Sequence, residues 1–223
     1  MQLFGLTLDR RVNLLALAAF VMSLASIGLQ IWHYVEGAKV ELRVGERVNL
    51  IFESHAAQRD NLVLHINARL SYINSGAVGR DAMIVGERVE IALGDLPPYE
   101  YRWHHFETFT AGENGIAEPR FADTAHDFGV PGADTATHQT TFVAFPEVRP
   151  RNPNAETDYL TKVDLLRRII RSSSTVTLTF IAEGVGVTPD PVSCRLLVTE
   201  RIVDEINATN WVTVFCEEID GSP

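Results

Sequence analysis

Histidine is the side chain best suited to hold a metal or move a proton near neutral pH. Four of the seven histidines, His104, His105, His126 and His138, fall within residues 104–138, with Asp123 and Asp127 among them. Three such side chains converging would bind zinc or another divalent ion, which makes His104, His126, His138, Asp123 and Asp127 the candidate ligands. The spacing argues against it. There is no HxH and no HExxH, and adjacent residues of a strand point to opposite faces, which separates His104 from His105. The expectation is therefore no bound metal and no cofactor, with these histidines exposed or hydrogen-bonded. Nucleophile motifs such as GxSxG and SxxK are absent, as are phosphate-cradling GxxxxGK[ST] and GxGxxG loops. No motif assigns a reaction, although a triad assembled in space carries no fixed sequence order.

Cysteine chemistry rests on Cys194 and Cys216, the only two in the chain. They lie in β-type segments, VSCRLLVTERIV and NWVTVFCEE, on either side of a polar stretch near Asp204 and Glu205. A hairpin centred there would place Cys194 opposite Cys216, both turned into one apolar layer. An opposed pair can meet disulfide distances, and such a bond implies an oxidising compartment. The alternative is two buried, reduced thiols.

The elements that must carry these residues are mostly strands. Val40, Leu42 and Val44 alternate with charged neighbours, and Leu62, Leu64, Ile66, Ala68, Leu70 and Tyr72 mark a long strand with one buried face. Asn74-Ser75-Gly76 signals a turn. A strand over 81–93 follows, with a bulge expected at Gly86, and then an aromatic strand over 99–109. Residues 111–138, rich in breakers, read as a long loop, so that 103–138 form an excursion ahead of a strand at 139–145. Residues 155–172 read as an amphipathic helix through Tyr159, Val163, Leu166 and Ile170, with Arg167, Arg168 and Arg171 near its end. Seven to nine short strands with one inserted helix give a mainly β fold, expected as an antiparallel β-sandwich over 39–219.

The stretch LHINARLSYINSGAVGRDAMIVGERVEI, with its long alternating strand, turn and returning strand, is similar to an immunoglobulin-like sandwich hairpin. With the apolar segment before it, the chain resembles uncharacterised bacterial membrane-anchored proteins with an immunoglobulin-like sandwich. That resemblance implies a fold and transfers no functional residues. The cysteine spacing is too short for the inter-sheet disulfide of an antibody domain.

The apolar segment, Val12–Tyr34, is expected to be a transmembrane helix, since about 23 residues at 1.5 Å each span roughly 34 Å. Arg10 and Arg11 at one end and Trp32 and Tyr34 at the other are the expected membrane-interface residues. A short tail, 1–11, would be cytoplasmic and a connector would cover 35–38. Cleavage of a signal peptide after Ser23-Leu24-Ala25 is the competing reading, but it would leave an apolar new terminus. The expected localisation is the inner membrane, single-pass, with the C-terminal domain periplasmic or extracellular.

The formal charge is −10, and the tail's Asp9, Arg10 and Arg11 sum to +1, which leaves −11 on the remainder. Such a surface repels phosphate backbones, so nucleic acid is not an expected partner. The expected function is that of a membrane-tethered, non-enzymatic interaction or scaffold module, binding a protein partner or a second copy through 103–138. The alternative is a tethered enzyme or metal-dependent binding protein using the same His/Asp-rich segment.

Overall fold

Alternation of apolar and polar residues makes strands of most of this chain, because a half-buried pleated surface suits it. The computed structural model describes residues 2–3, 6–7, 10–35, 37–55, 58–94, 97–111, 117–144, 160–172 and 176–219. These fall into two units, Met1–Gly37 and Ala38–Pro223.

In the first unit, β1 (Gln2–Leu3) pairs with β2 (Leu6–Thr7), and α1 runs from Arg10 to Val35. Among the described residues no helix is long and apolar enough to cross a membrane. This overturns the transmembrane helix, and with it the signal anchor, expected over residues 12–34. The described side chains of α1 run from Ala16 to Trp32. Ser23, Ser26, Gly28 and Gln30 dilute its hydropathy. Trp32 is exposed, and the side chains of Arg10, Arg11 and Tyr34 lie outside the described residues.

The second unit is a continuous antiparallel sheet. Its strands are β3 (Val40–His55), β4 (Gln58–Asn74), β5 (Ala82–Leu93), β6 (Tyr99–Ala111), β7 (Ala117–Thr124), β8 (Phe128–Val130), β9 (Asp134–Val143), β10 (Val176–Val185), β11 (Val192–Leu196) and β12 (Trp211–Glu218). The order is β7-β6-β9-β4-β3-β12-β11-β10-β5-β8, and β6 also pairs with β5. Tyr99–Arg102 of β6 lie along β5, while Arg102–Glu107 lie along β9. The hydrogen bonding therefore closes into a circuit, where two separate sheets of an immunoglobulin-like sandwich had been expected. Closure removes most of the sheet edges. The inward face is filled by Phe52, Leu64, Ile66, Ile84, Ile91, Phe142, Leu178 and Phe180, each at most 1% exposed.

Two bulges turn side chains to new faces. Val85 is the extra residue of β5 where its pairing with β10 shifts, next to the expected Gly86. Inward positions change there from Ala82 and Ile84 to Glu87, Val89 and Ile91. On β6 the extra residue is His104, between Trp103 opposite Phe142 and His105 opposite Thr141.

The breakers in 111–138 delimit short strands and do not make one long loop: β7, β8 and the start of β9 all lie there. Asn74 pins the expected turn. Its Oδ1 accepts from Lys39 N at 3.3 Å and Gly76 N at 3.0 Å, and its Nδ2 donates to Arg80 O and Val130 O at 2.7 and 3.0 Å. A Cβ on Gly132 would overlap the Ala77 carbonyl oxygen, which is backbone and cannot swing aside. Gly132→Ala is therefore expected to cost about 1–3 kcal/mol, read as a lower urea midpoint.

The inserted helix, α2, spans Lys162–Ser172 and begins later than expected. Thr161 sets the start: its Oγ1 accepts from Asp164 N at 3.1 Å and donates to Asp164 Oδ2 at 2.7 Å. Leu165 and Ile169 form the buried face, whereas Val163, expected on it, is 54% exposed. Residues 155–159, including Tyr159, and the side chains of Ile170 and Arg171 lie outside the described residues. The polar stretch near Asp204 is no hairpin turn. It belongs to α3 (Glu200–Ala208), capped by Thr199 and seated by the buried Ile202 and Ile206.

Cys194 and Cys216 form a disulfide with Cα atoms 5.3 Å apart. Cys194 pairs with Glu218 and Leu196 with Cys216, so the thiols meet diagonally, two residues from the expected register. Parity survives because a one-residue slip would turn the apolar set outward, while a two-residue slip does not.

Candidate functional site

Two carboxylate–imidazole pairs lie on opposite faces of the sheet where β4, β9 and β6 run side by side. The inner pair depends on the Val85 bulge, which turns Glu87 inward; its side chain is 1% exposed. Glu87 Oε1 accepts from Tyr72 Oη at 2.7 Å and from His138 Nε2 at 2.7 Å, and Oε2 accepts from Thr140 Oγ1 at 2.9 Å. Hydrogen-bond donors replace the water that a buried carboxylate loses. Burial, then the neighbouring Glu87 charge and hydrogen bond, push the Tyr72 phenol well above its ordinary range, so it stays a donor. Phe106 and Phe128 wall the imidazole, each with its ring 4.6 Å from that of His138. A cleft of about 200 Å³ opens beside Glu87, along Gly86, Trp103 and the Arg88–Glu183 ion pair.

The outer pair depends on the His104 bulge. An extra residue turns two consecutive side chains to one face, so His104 and His105 share the outer surface. Their Nδ1 atoms lie 2.9 Å apart. His105 Nε2 donates to Glu107 Oε1 at 3.1 Å, which leaves Nδ1 as the accepting nitrogen and His104 as donor.

A polar row across the sheet ends on the same carboxylate. Thr213, Asn49, Asn67, Thr141 and His105 are directly opposed on β12, β3, β4, β9 and β6. Thr213 Oγ1 donates to Asn49 Oδ1 at 2.8 Å, Asn49 Nδ2 to Asn67 Oδ1 at 3.1 Å, and Asn67 Nδ2 to Thr141 Oγ1 at 2.8 Å. Thr141 Oγ1 then donates to Glu107 Oε1 at 2.6 Å. Every bond of this row points the same way, so each polarises the next towards the anion.

Burial pushes the Glu107 carboxyl up, but the hydrogen bonds from His105 and Thr141, the His105 charge and Asn67 together hold it below its ordinary value. A depressed carboxyl stabilises the fold above its unfolded pKa, about 4.3, and that stability is lost as pH falls through the lower folded value. The wild-type chain is thus expected to lose urea stability below about pH 4.3 more steeply than Glu107→Gln. Parallel loss in both would assign the acid sensitivity elsewhere. Glu107 Oε2 is buried and has no hydrogen-bond partner among the described residues.

The candidate ligands His104, His126, His138, Asp123 and Asp127 are not brought together. His138 faces inward onto Glu87, whereas His104 faces outward. His126 Nδ1 donates to Thr124 O at 2.9 Å and lies 3.7 Å from Asp123 Oδ2. Asp127 is exposed. Among the described residues no group of three or more His, Cys, Asp or Glu side chains could hold a metal. Sequence reasoning missed Glu87, Glu107, Thr140 and Thr141. Their signal is weak: acidic and hydroxyl residues at strand positions, brought together only by bulges and distant pairings. A larger groove of about 510 Å³, between Lys39–Leu42 and Val187–Ser193, holds no histidine.

No protein-family model matches the chain, and no curated protein matches it. Among solved structures it is similar to the crystal structure of Spo0M, a sporulation control protein from Bacillus subtilis, at 10% identity over 74% of this chain and 76% of that one. The TM-score is 0.21, too low for that likeness to carry an argument.

Proposed function

We propose that the β domain is a protein-recognition module that takes an extended segment of a partner as an added strand along β6 and β7. The observation behind this is an overrun. Pairing of β6 with β9 stops at Glu107 opposite Gln139, but β6 and β7 stay paired through Thr108–Arg120, Phe109–Pro119, Thr110–Glu118 and Ala111–Ala117. Among the described residues this arm pairs with no third strand. A two-stranded ribbon is marginal in water, and its open edges invite another strand. At the base of the arm Phe121 is 65% exposed, its ring 5.6 Å from that of His105. The Cys194–Cys216 bond favours an oxidising compartment, outside the cytoplasm.

Glu107 and Phe121 are directly opposed, so Asn-Gly in place of residues 108–120 closes the shortened hairpin with a two-residue turn. Random peptides displayed on phage, selected against the full chain, are expected to yield extended binders of alternating polarity that the shortened chain does not retain. Equal binding to both chains would refute the arm as the docking edge.

A further inference from the structure

We infer that His104 and His105 form a binding site for a divalent transition-metal ion that prefers nitrogen ligands at right angles, copper(II) before nickel(II). The site is distinct from the strand-docking edge and stands whether or not that edge binds a partner.

The first argument is spacing. Metal–imidazole bonds are about 2.0–2.1 Å long. Two imidazoles at 90° on one ion therefore hold their nitrogens about 2.9 Å apart, the geometry of tetragonal copper(II) and nickel(II), whereas a tetrahedral zinc site needs about 3.4 Å. His104 Nδ1 and His105 Nδ1 are 2.9 Å apart. In the ion-free chain His104 Nδ1–H donates to His105 Nδ1; when the ion binds, His104 takes the other neutral tautomer, its proton moving from Nδ1 to Nε2 through solvent, and both Nδ1 lone pairs turn to the ion beside the line that joined them.

The second is the partner of the other His105 nitrogen. Nε2–H donates to Glu107 Oε1 at 3.1 Å, and the Glu107 side chain is 9% exposed. Ligating histidines characteristically donate their second ring nitrogen to a carboxylate, which fixes the tautomer, orients the ring and raises its basicity. That carboxylate is held as an anion by the row from Thr213 to Thr141, so the orienting shell of this site spans five strands.

Rigidity is the third. The bulge that brings the two rings together is bonded on both sides: β9 pairs with Trp103 and His105, and Ala125 N donates to His104 O at 3.0 Å on the side of β7. His104 is exposed, so the ion can enter from solvent. With two protein ligands, water fills the remaining positions, and a co-ligand could exchange there.

Copper(II) titrated into the full, tag-free chain and read by electron paramagnetic resonance is the test. One ion per chain is expected, with an axial signal split by two imidazole nitrogens. His104→Ala and His105→Ala should each abolish the stoichiometric signal. Glu107→Gln, a change at a positioning residue, should weaken binding about tenfold while leaving two nitrogens on the ion. His65→Ala should change nothing. Should a variant fail to fold, wild-type chain carrying ¹⁵N-histidine answers the same question, since copper(II) must broaden the His104 and His105 ring resonances first. Stoichiometric binding that survives both alanine variants, or broadening that begins on other histidines, would overturn the site.

Discussion

Glu87→Ala is expected to destabilise the β domain by about 3–5 kcal/mol, among the largest effects of any single substitution outside the apolar core. The substitution strands three donors at once, the Tyr72 hydroxyl, His138 Nε2–H and the Thr140 hydroxyl, around a side chain that is 1% exposed. Each buried donor left unpaired costs about 1–3 kcal/mol, and the removed side chain leaves a cavity among Tyr72, His138 and Thr140. Glu87→Gln separates charge from shape. Its carbonyl oxygen can still accept from Tyr72 and His138, and Thr140 can turn its hydroxyl to accept from the new amide. About 1–2 kcal/mol is the expected loss. Urea unfolding with an unchanged slope would read both values. A Glu87→Ala chain as stable as wild type would mean that the inner cluster is solvated and contributes nothing to the fold.

The Cys194–Cys216 bond carries the next largest effect. It closes a loop over a sequence separation of 22 that contains the whole of α3. Restricting a loop of that length in the unfolded chain is worth about 3 kcal/mol. For a domain of this size that corresponds to about 6–12 °C in Tm, which the Cys194→Ala/Cys216→Ala chain should lose. Because the bond staples β11 to β12 on either side of α3, the amides of Glu200–Ala208 should also exchange earlier than those of β3 and β4. A double variant with unchanged Tm would show that the sheet alone holds this corner.

What could be read from the sequence was whatever a half-buried strand writes into it. The long runs at Leu62–Tyr72 and Tyr99–Phe109 alternate because one face is apolar, and they lie in β4 and β6. Cys194 and Cys216 were placed together for the same reason: parity is fixed by burial even when register is not. The polar sites escaped because each depends on a single inserted residue. With strict alternation His104 and His105 face apart. One bulge, set by distant pairing with β9 and leaving no mark in composition, makes them neighbours. Val85 does the same for Glu87, and there Gly86 was a visible hint. Helix α3 was legible in principle, from the Thr199 cap and the Ile202/Ile206 spacing, but its strand-like flanks pointed to a turn. The N-terminal segment misled in the other direction, since a charge-free run drew attention from its small and polar residues.

The protein-recognition reading is tested most directly by amide hydrogen exchange of the full chain with and without a peptide selected on it. An added strand satisfies backbone groups along the open edge, so new protection is predicted within Thr108–Ala111 or Ala117–Arg120, with the amides of β10 and β11 unchanged. Protection elsewhere with both arm segments unaffected would contradict strand addition on the β6–β7 arm.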